Sequence, residues 1–209
     1  MQLIGMLDSP YVRRAAISLQ LLGLPFEHRS VSVFGGFDAF SRINPVVKAP
    51  TLVCDDGVVL MDSSLIIDYA EALAAPRSLM PHAIAERQRT LQLTGLALAV
   101  CEKSVQIVYE HNLRPAEKLH APWLTRVQGQ LAAALAGIET ELARRPLACT
   151  SATIDQAGVS CGVAWFFVRA MQPEFADAAK YPALNAHSEH AERLTEFSKA
   201  PHGDGIVAR

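Results

Sequence analysis

Apolar and polar positions change rhythm along this chain near residue 76. Before it, short apolar runs of strand length alternate with stretches of helical period. Leu3-Ile4-Gly5-Met6 reads as a buried strand. Ser9-Pro10 then opens a helix, with serine at the cap and proline at the first helical position. Val12, Ala16, Leu19 and Leu22 or Leu24 mark its apolar stripe, and Gly23 with Pro25 ends it. Phe26 to Val33 reads as a second strand, Gly35-Gly36 as a mobile loop, and Asp38 to Ile43 as a short helix stopped before Asn44-Pro45. Thr51–Cys54 and Val58–Met61 form a hairpin through Asp55-Asp56-Gly57, where glycine supplies positive φ. Asp62-Ser63-Ser64 caps a third helix, with Leu65, Ile66, Tyr69 and Leu73 assigned to one face. The order is β-α-β-α-β-β-α.

After Ala74-Ala75-Pro76 the chain is rich in alanine and leucine and shows no strand pattern. Helices are expected at about 83–110, 122–144, 155–171 and 182–194, punctuated by Pro115, Pro122, Pro146, Pro173 and Pro182. An α/β first third before an all-α remainder predicts two subdomains.

Composition narrows the class. The 209 residues suit one large domain or two small ones, and such a body buries roughly 70% of its unfolded surface without disulfide or metal staples. Half the residues are hydrophobic, 19% are charged and the net charge is -2, giving no electrostatic reason for a nucleic-acid or anionic-membrane partner. Cys54, Cys101, Cys149 and Cys161 are scattered without a C-x-x-C, so neither zinc nor dithiol redox chemistry is suggested. The first seven residues lack signal-peptide character, and the apolar run Leu96–Cys101 is far shorter than the ~20 residues of a membrane span. A cytoplasmic location with reduced thiols is expected.

Three places can carry chemistry. A proline directly before a strand, as in Ala49-Pro50, removes a ladder donor; a trans bond at a strand start is one solution. A cis bond is another, and it would leave the residue 49 backbone open to an extended ligand. Asp62-Ser63 stands at a helix N-terminus, where backbone N–H groups suit a carboxylate and the aspartate suits an ammonium; a plain cap is the simpler account. Ser9 has the same duality, as a cap or as a donor to a bound thiolate. His28 has no evident role as its base. Tyr109, His111, Arg114 and Trp165 are candidates to line a pocket, although Trp165 beside Phe166 and Phe167 equally suits a core. His187 and His190 lie one helical turn apart, a spacing that more often marks a solvated face than a metal pair, and no metal site is expected.

Together these segments resemble the soluble glutathione transferase superfamily over nearly the whole chain. Ser9-Pro10-Tyr11-Val12-Arg13 is similar to the family's S-P-[FY]-V-R segment, common in small bacterial members. Asn44-Pro45-Val46-Val47-Lys48-Ala49-Pro50-Thr51-Leu52 is similar to N-P-x-x-K-V-P-x-L, whose proline is cis. Asp62-Ser63-Ser64-Leu65-Ile66-Ile67-Asp68-Tyr69 is similar to [ED]-S-x-x-I-x-x-Y.

The resemblance implies a thioredoxin-like domain at 1–77 that binds glutathione as co-substrate, followed by an all-helical domain at 84–209 that supplies the electrophile pocket. It implies that Ala49, before Pro50, binds the cysteinyl backbone, that Lys48 lies near the glycyl carboxylate, and that Asp62 and Ser63 hold the γ-glutamyl ammonium and carboxylate. Ser9 would face the sulfur, the small-molecule electrophile would be hydrophobic, and the chain would form a homodimer. The implied reaction is conjugation. Glutathione-dependent disulfide or peroxide reduction, and a non-catalytic interaction module, are the alternatives.

One departure stands in the second domain. Relatives begin its central helix with [ST]-x-x-D, whereas this chain has Asp155-Gln156-Ala157-Gly158. Because glycine costs about 1 kcal/mol against alanine inside a helix, Gly158→Asp is expected to raise the melting temperature.

Overall fold

The computed structural model describes residues 1–208. The chain divides into two compact units, Met1–Met80 with the segment from Arg193 onward, and Pro81–Glu192. In the first, β1 (Gln2–Ile4), α1 (Pro10–Leu21), β2 (Glu27–Arg29), α2 (Phe37–Ser41), β3 (Thr51–Val53), β4 (Val59–Met61) and α3 (Ser63–Ala74) follow the expected order. The sheet runs β2-β1-β3-β4, with β1 parallel to β2 and antiparallel to β3. Leu3 of β1 sits opposite His28 on one side and Leu52 on the other.

The second strand is shorter than Phe26–Val33 because β1 offers it only three partners, Gln2, Leu3 and Ile4. Helix α1 packs against α3 and β1, and it is buried almost all round, including Arg13 and Arg14. On α3 the expected stripe is displaced. Ser63, Ile66, Ile67 and Ala70 face inward, whereas Leu65 is 64% and Leu73 48% exposed. Both stripes have helical spacing, and packing against α1 and the sheet settles which one is buried.

The second unit contains α4 (Ile84–Leu113), α5 (Ala121–Arg144), α6 (Gln156–Met171) and α7 (Pro182–Ala191). Helix α4 is long and apolar enough, by length and composition alone, to cross a membrane. One stripe of it, from Thr90 through Leu93, Ala97, Val100 and Ser104 to Ile107, is buried where α4 packs on α5 and α6. That is the behaviour of a core helix. The expected second domain at 84–209 ends early. After α7 the chain rejoins the first unit, where α8 (Thr195–Ser198) packs on α1. Arg13 Nε donates to the Ala200 carbonyl at 2.7 Å and Gln20 Nε2 to the Glu196 carbonyl at 3.0 Å. These bonds join residues far apart in sequence, so local pattern does not announce them.

Helix α6 starts as expected, with Asp155 accepting the Gly158 N–H at 2.8 Å and the Thr90 hydroxyl at 2.7 Å. The expectation for Gly158→Asp fails on packing. Gly158 is buried, and a Cβ placed there would lie 2.7 Å from Ile154 Cγ1. The close approach of the preceding isoleucine, rather than a missing carboxylate, explains the glycine.

Candidate glutathione site

The site is assembled from three loops of the first unit. The first joins β1 to α1 and turns at Gly5, whose φ of +136° excludes other residues without strain. A Cβ on Gly5 would lie 2.6 Å from Val12 Cγ2 and 3.1 Å from Ala49 Cβ, so this glycine lets the Ser9 loop approach the Ala49 loop. The sequence reading missed Gly5; a glycine inside an apolar strand run was the signal for such a close approach.

The second loop runs from α2 to β3. Asn44 organises it, donating to Thr51 Oγ1 at 2.8 Å and accepting the Val46 N–H at 3.0 Å. Thr51 in turn donates to the Lys48 carbonyl at 2.7 Å. Val47 has φ +52°, a strained setting for a β-branched residue, and the Ala49–Pro50 bond is cis.

The third segment is the β4–α3 junction. Asp62 has φ +75° and caps α3 by accepting the Ser64 N–H at 2.9 Å. Its other oxygen is 3.2 Å from Lys48 Nζ, and both side chains are about half exposed. Burial alone would raise the Asp62 carboxyl. The Ser64 N–H, Lys48 and Arg14 outweigh burial and hold it below the ordinary aspartate value. Ser63, by contrast, is 2% exposed and receives a hydrogen bond from Arg14 Nη1 at 3.0 Å. A carboxylate and a hydroxyl are therefore adjacent at the positive end of a helix, a pairing suited to the ammonium and carboxylate of an α-amino acid.

Ser9 caps α1, but its oxygen is 3.5 Å from the Val12 N–H, a long bond that leaves its own proton for another acceptor. His28 does not serve it. The Val207 N–H donates to His28 Nδ1 at 3.1 Å, which puts the ring proton on Nε2, 2.8 Å from the Gly5 carbonyl.

In the second unit, Gln106, Tyr109, Glu110, Leu113, Arg114 and Trp123 line a cavity of about 610 Å³. Tyr109 and Arg114 were expected there, and Arg114 pairs with Glu110 at 2.8 Å. Trp165 is a correction. It is fully buried, donates to Asn185 Oδ1 at 3.1 Å and meets Tyr181 edge to face, so it belongs to the core of the helical unit. Trp123 takes the aromatic position that sequence reasoning gave to Trp165; its place beside Pro122 at the start of a helix carried no pocket signal. His187 is buried against the Gly158 carbonyl at 2.9 Å, so it does not form a solvated face with His190. Among the described residues no cluster of histidine, cysteine, aspartate or glutamate has the make-up of a metal site.

Comparison with known proteins places the fold. The glutathione S-transferase N-terminal domain family matches residues 3–78, and the C-terminal domain family matches residues 121–190. The GST-like protein YibF of Escherichia coli K12 is 25% identical over 173 residues, spanning 83% of this chain and 85% of that one. A glutathione S-transferase of Methylobacterium radiotolerans, solved with glutathione sulfonate, has a TM-score of 0.88 at 25% identity and covers 100% of this chain and 98% of its own. A glutathione transferase family member of Pseudomonas fluorescens Pf-5, solved with glutathione, has a TM-score of 0.80 at 27% identity, covering 97% and 98%. With a thioredoxin-like unit, a helical unit and both family domains matched in order, this chain belongs to the glutathione S-transferase superfamily.

Proposed function

We propose that this protein is a cytoplasmic glutathione transferase that binds glutathione on its thioredoxin-like unit and directs the thiolate at a small hydrophobic electrophile. The observation that carries the reading is the Asp62–Ser63 pair at the start of α3, a carboxylate beside a hydroxyl, with one structural relative solved with glutathione and another with glutathione sulfonate in support. Asp62 takes the γ-glutamyl ammonium and Ser63 the carboxylate, and the Ala49 backbone, before Pro50, pairs with the cysteinyl residue. Lys48 leans on Asp62, so its ammonium and that of the ligand share one carboxylate until Lys48 swings toward the glycyl end. Only a thiolate attacks, so the contribution of Ser9 is one hydrogen bond donated to the sulfur anion. Tyr109 and Arg114, with Trp123, are assigned to the electrophile, and a second copy of the chain is the expected partner.

The test is retention on immobilised glutathione, followed by turnover of a chlorinated aromatic beside a mixed disulfide. Retention with conjugation is expected. Ser9→Ala should keep binding and lose roughly ten- to hundredfold in kcat/KM, the worth of one hydrogen bond to a charged group. Disulfide turnover without conjugation would favour the reductase, and failure to be retained would favour the non-catalytic module.

A further inference from the structure

Arg14 is buried on α1, only 4% exposed, and its Nη1 reaches Ser63 Oγ at 3.0 Å and Ser64 Oγ at 3.2 Å. A guanidinium can only donate, so the Ser63 oxygen must accept. A hydroxyl has one proton and two acceptor lone pairs; with Arg14 on one of them, the buried guanidinium charge disfavours an incoming cation at the other and leaves the proton facing an anion. Beside it, Asp62 is held ionised and can only accept. We propose that Arg14 is a positioning residue that sets the polarity of the α3 start: it commits the Ser63 hydroxyl to donate, so the ligand's carboxylate goes to Ser63 and its ammonium to Asp62, never the reverse.

The charge of Arg14 favours this over a mere staple between α1 and α3, because beside Ser63 and Ser64 it adds to the positive helix N-terminus at the point where a carboxylate would sit. The proposal rests on the glutathione reading of the site.

Calorimetric titration of the full chain separates the two roles. The probes are glutathione and 4-aminobutanoyl-Cys-Gly, which lacks only the γ-glutamyl carboxylate. Arg14→Gln is expected to weaken glutathione about tenfold, the loss of one charge-assisted bond, while binding of the carboxylate-free peptide changes less than about twofold. Arg14→Lys, which keeps a donating charge without the fork, should regain part of the preference. Equal weakening of both peptides, or no change in either, overturns the proposal and leaves Arg14 a staple. If Arg14→Gln does not fold, Arg14→Lys carries the test: a loss of about threefold confined to glutathione supports the role, and an equal loss on both peptides overturns it. A wild-type protein that does not prefer glutathione over the carboxylate-free peptide overturns the site reading and this proposal with it. A preference that survives Arg14→Gln undiminished overturns the Arg14 role alone.

Discussion

Lys48 Nζ lies 3.2 Å from Asp62 Oδ2, tying the loop before β3 to the first turn of α3. The pair is half exposed, so its worth in stability is small, within the ~0–1 kcal/mol of a surface ion pair. Its consequence is for acid behaviour. The Asp62 carboxyl is lower in the folded chain than its ordinary value of 3.8. Its contribution is therefore complete above that value and is lost as pH falls through the lowered one. Lys48→Met should make the loss begin at higher pH, and Asp62→Asn should abolish it. Melting temperatures measured from pH 6 to pH 3 on the three proteins check this, and identical acid limbs would disprove it.

The two buried histidines act in the same direction along the pH axis, but at higher pH. Burial lowers His28 and His187, with hydrogen bonds to the Gly5 and Gly158 carbonyls offsetting part of the effect. The unfolded chain therefore takes up protons first, and stability present above about pH 6.5 declines as pH falls toward the lowered values, by at most about 1.4 kcal/mol per pH unit for each histidine. Glutamine at position 28 can still donate to Gly5 and accept from Val207. His28→Gln should thus shrink the difference between urea midpoints at pH 7.5 and 5.5, and His187→Gln should do so independently.

Position 158 is a packing prediction. Gly158→Ala gains about 1 kcal/mol in helix propensity but meets Ile154 at 2.7 Å, and overpacking of that kind costs about 1–3 kcal/mol. A lower melting temperature is expected, and lower still for Gly158→Asp, which also buries a carboxylate. In an Ile154→Ala background Gly158→Ala should turn neutral or stabilising; additivity in that double-mutant cycle would show that Ile154 is not the obstacle.

Leu65 and Leu73 are exposed on α3, with the half-buried Tyr69 between them at helical spacing, and Val59 on β4 is also exposed. An outward apolar stripe suits the second copy proposed above. Sedimentation should find a dimer for the wild type and a monomer for Leu65→Glu with Leu73→Glu. A double variant that stays dimeric places the contact elsewhere.

How much was legible follows from which forces are local. Ser9-Pro10, Asp62-Ser63 and the Asp55-Asp56-Gly57 turn encode their own geometry, because caps and turns are hydrogen bonds within a few residues. Those signals determined the strand and helix order, and their spacing carried the glutathione motif. Tertiary structure decided whatever depends on what a side chain meets. It chose between the two apolar stripes of α3 and put Trp165 in the core with Trp123 on the cavity. It returned the chain after Glu192 to the first unit, and it brought Arg14 to Ser63 and Gly5 to Ala49. Each of these joins residues distant in sequence, and burial and close approach are properties of the pair, which neither member's local pattern contains.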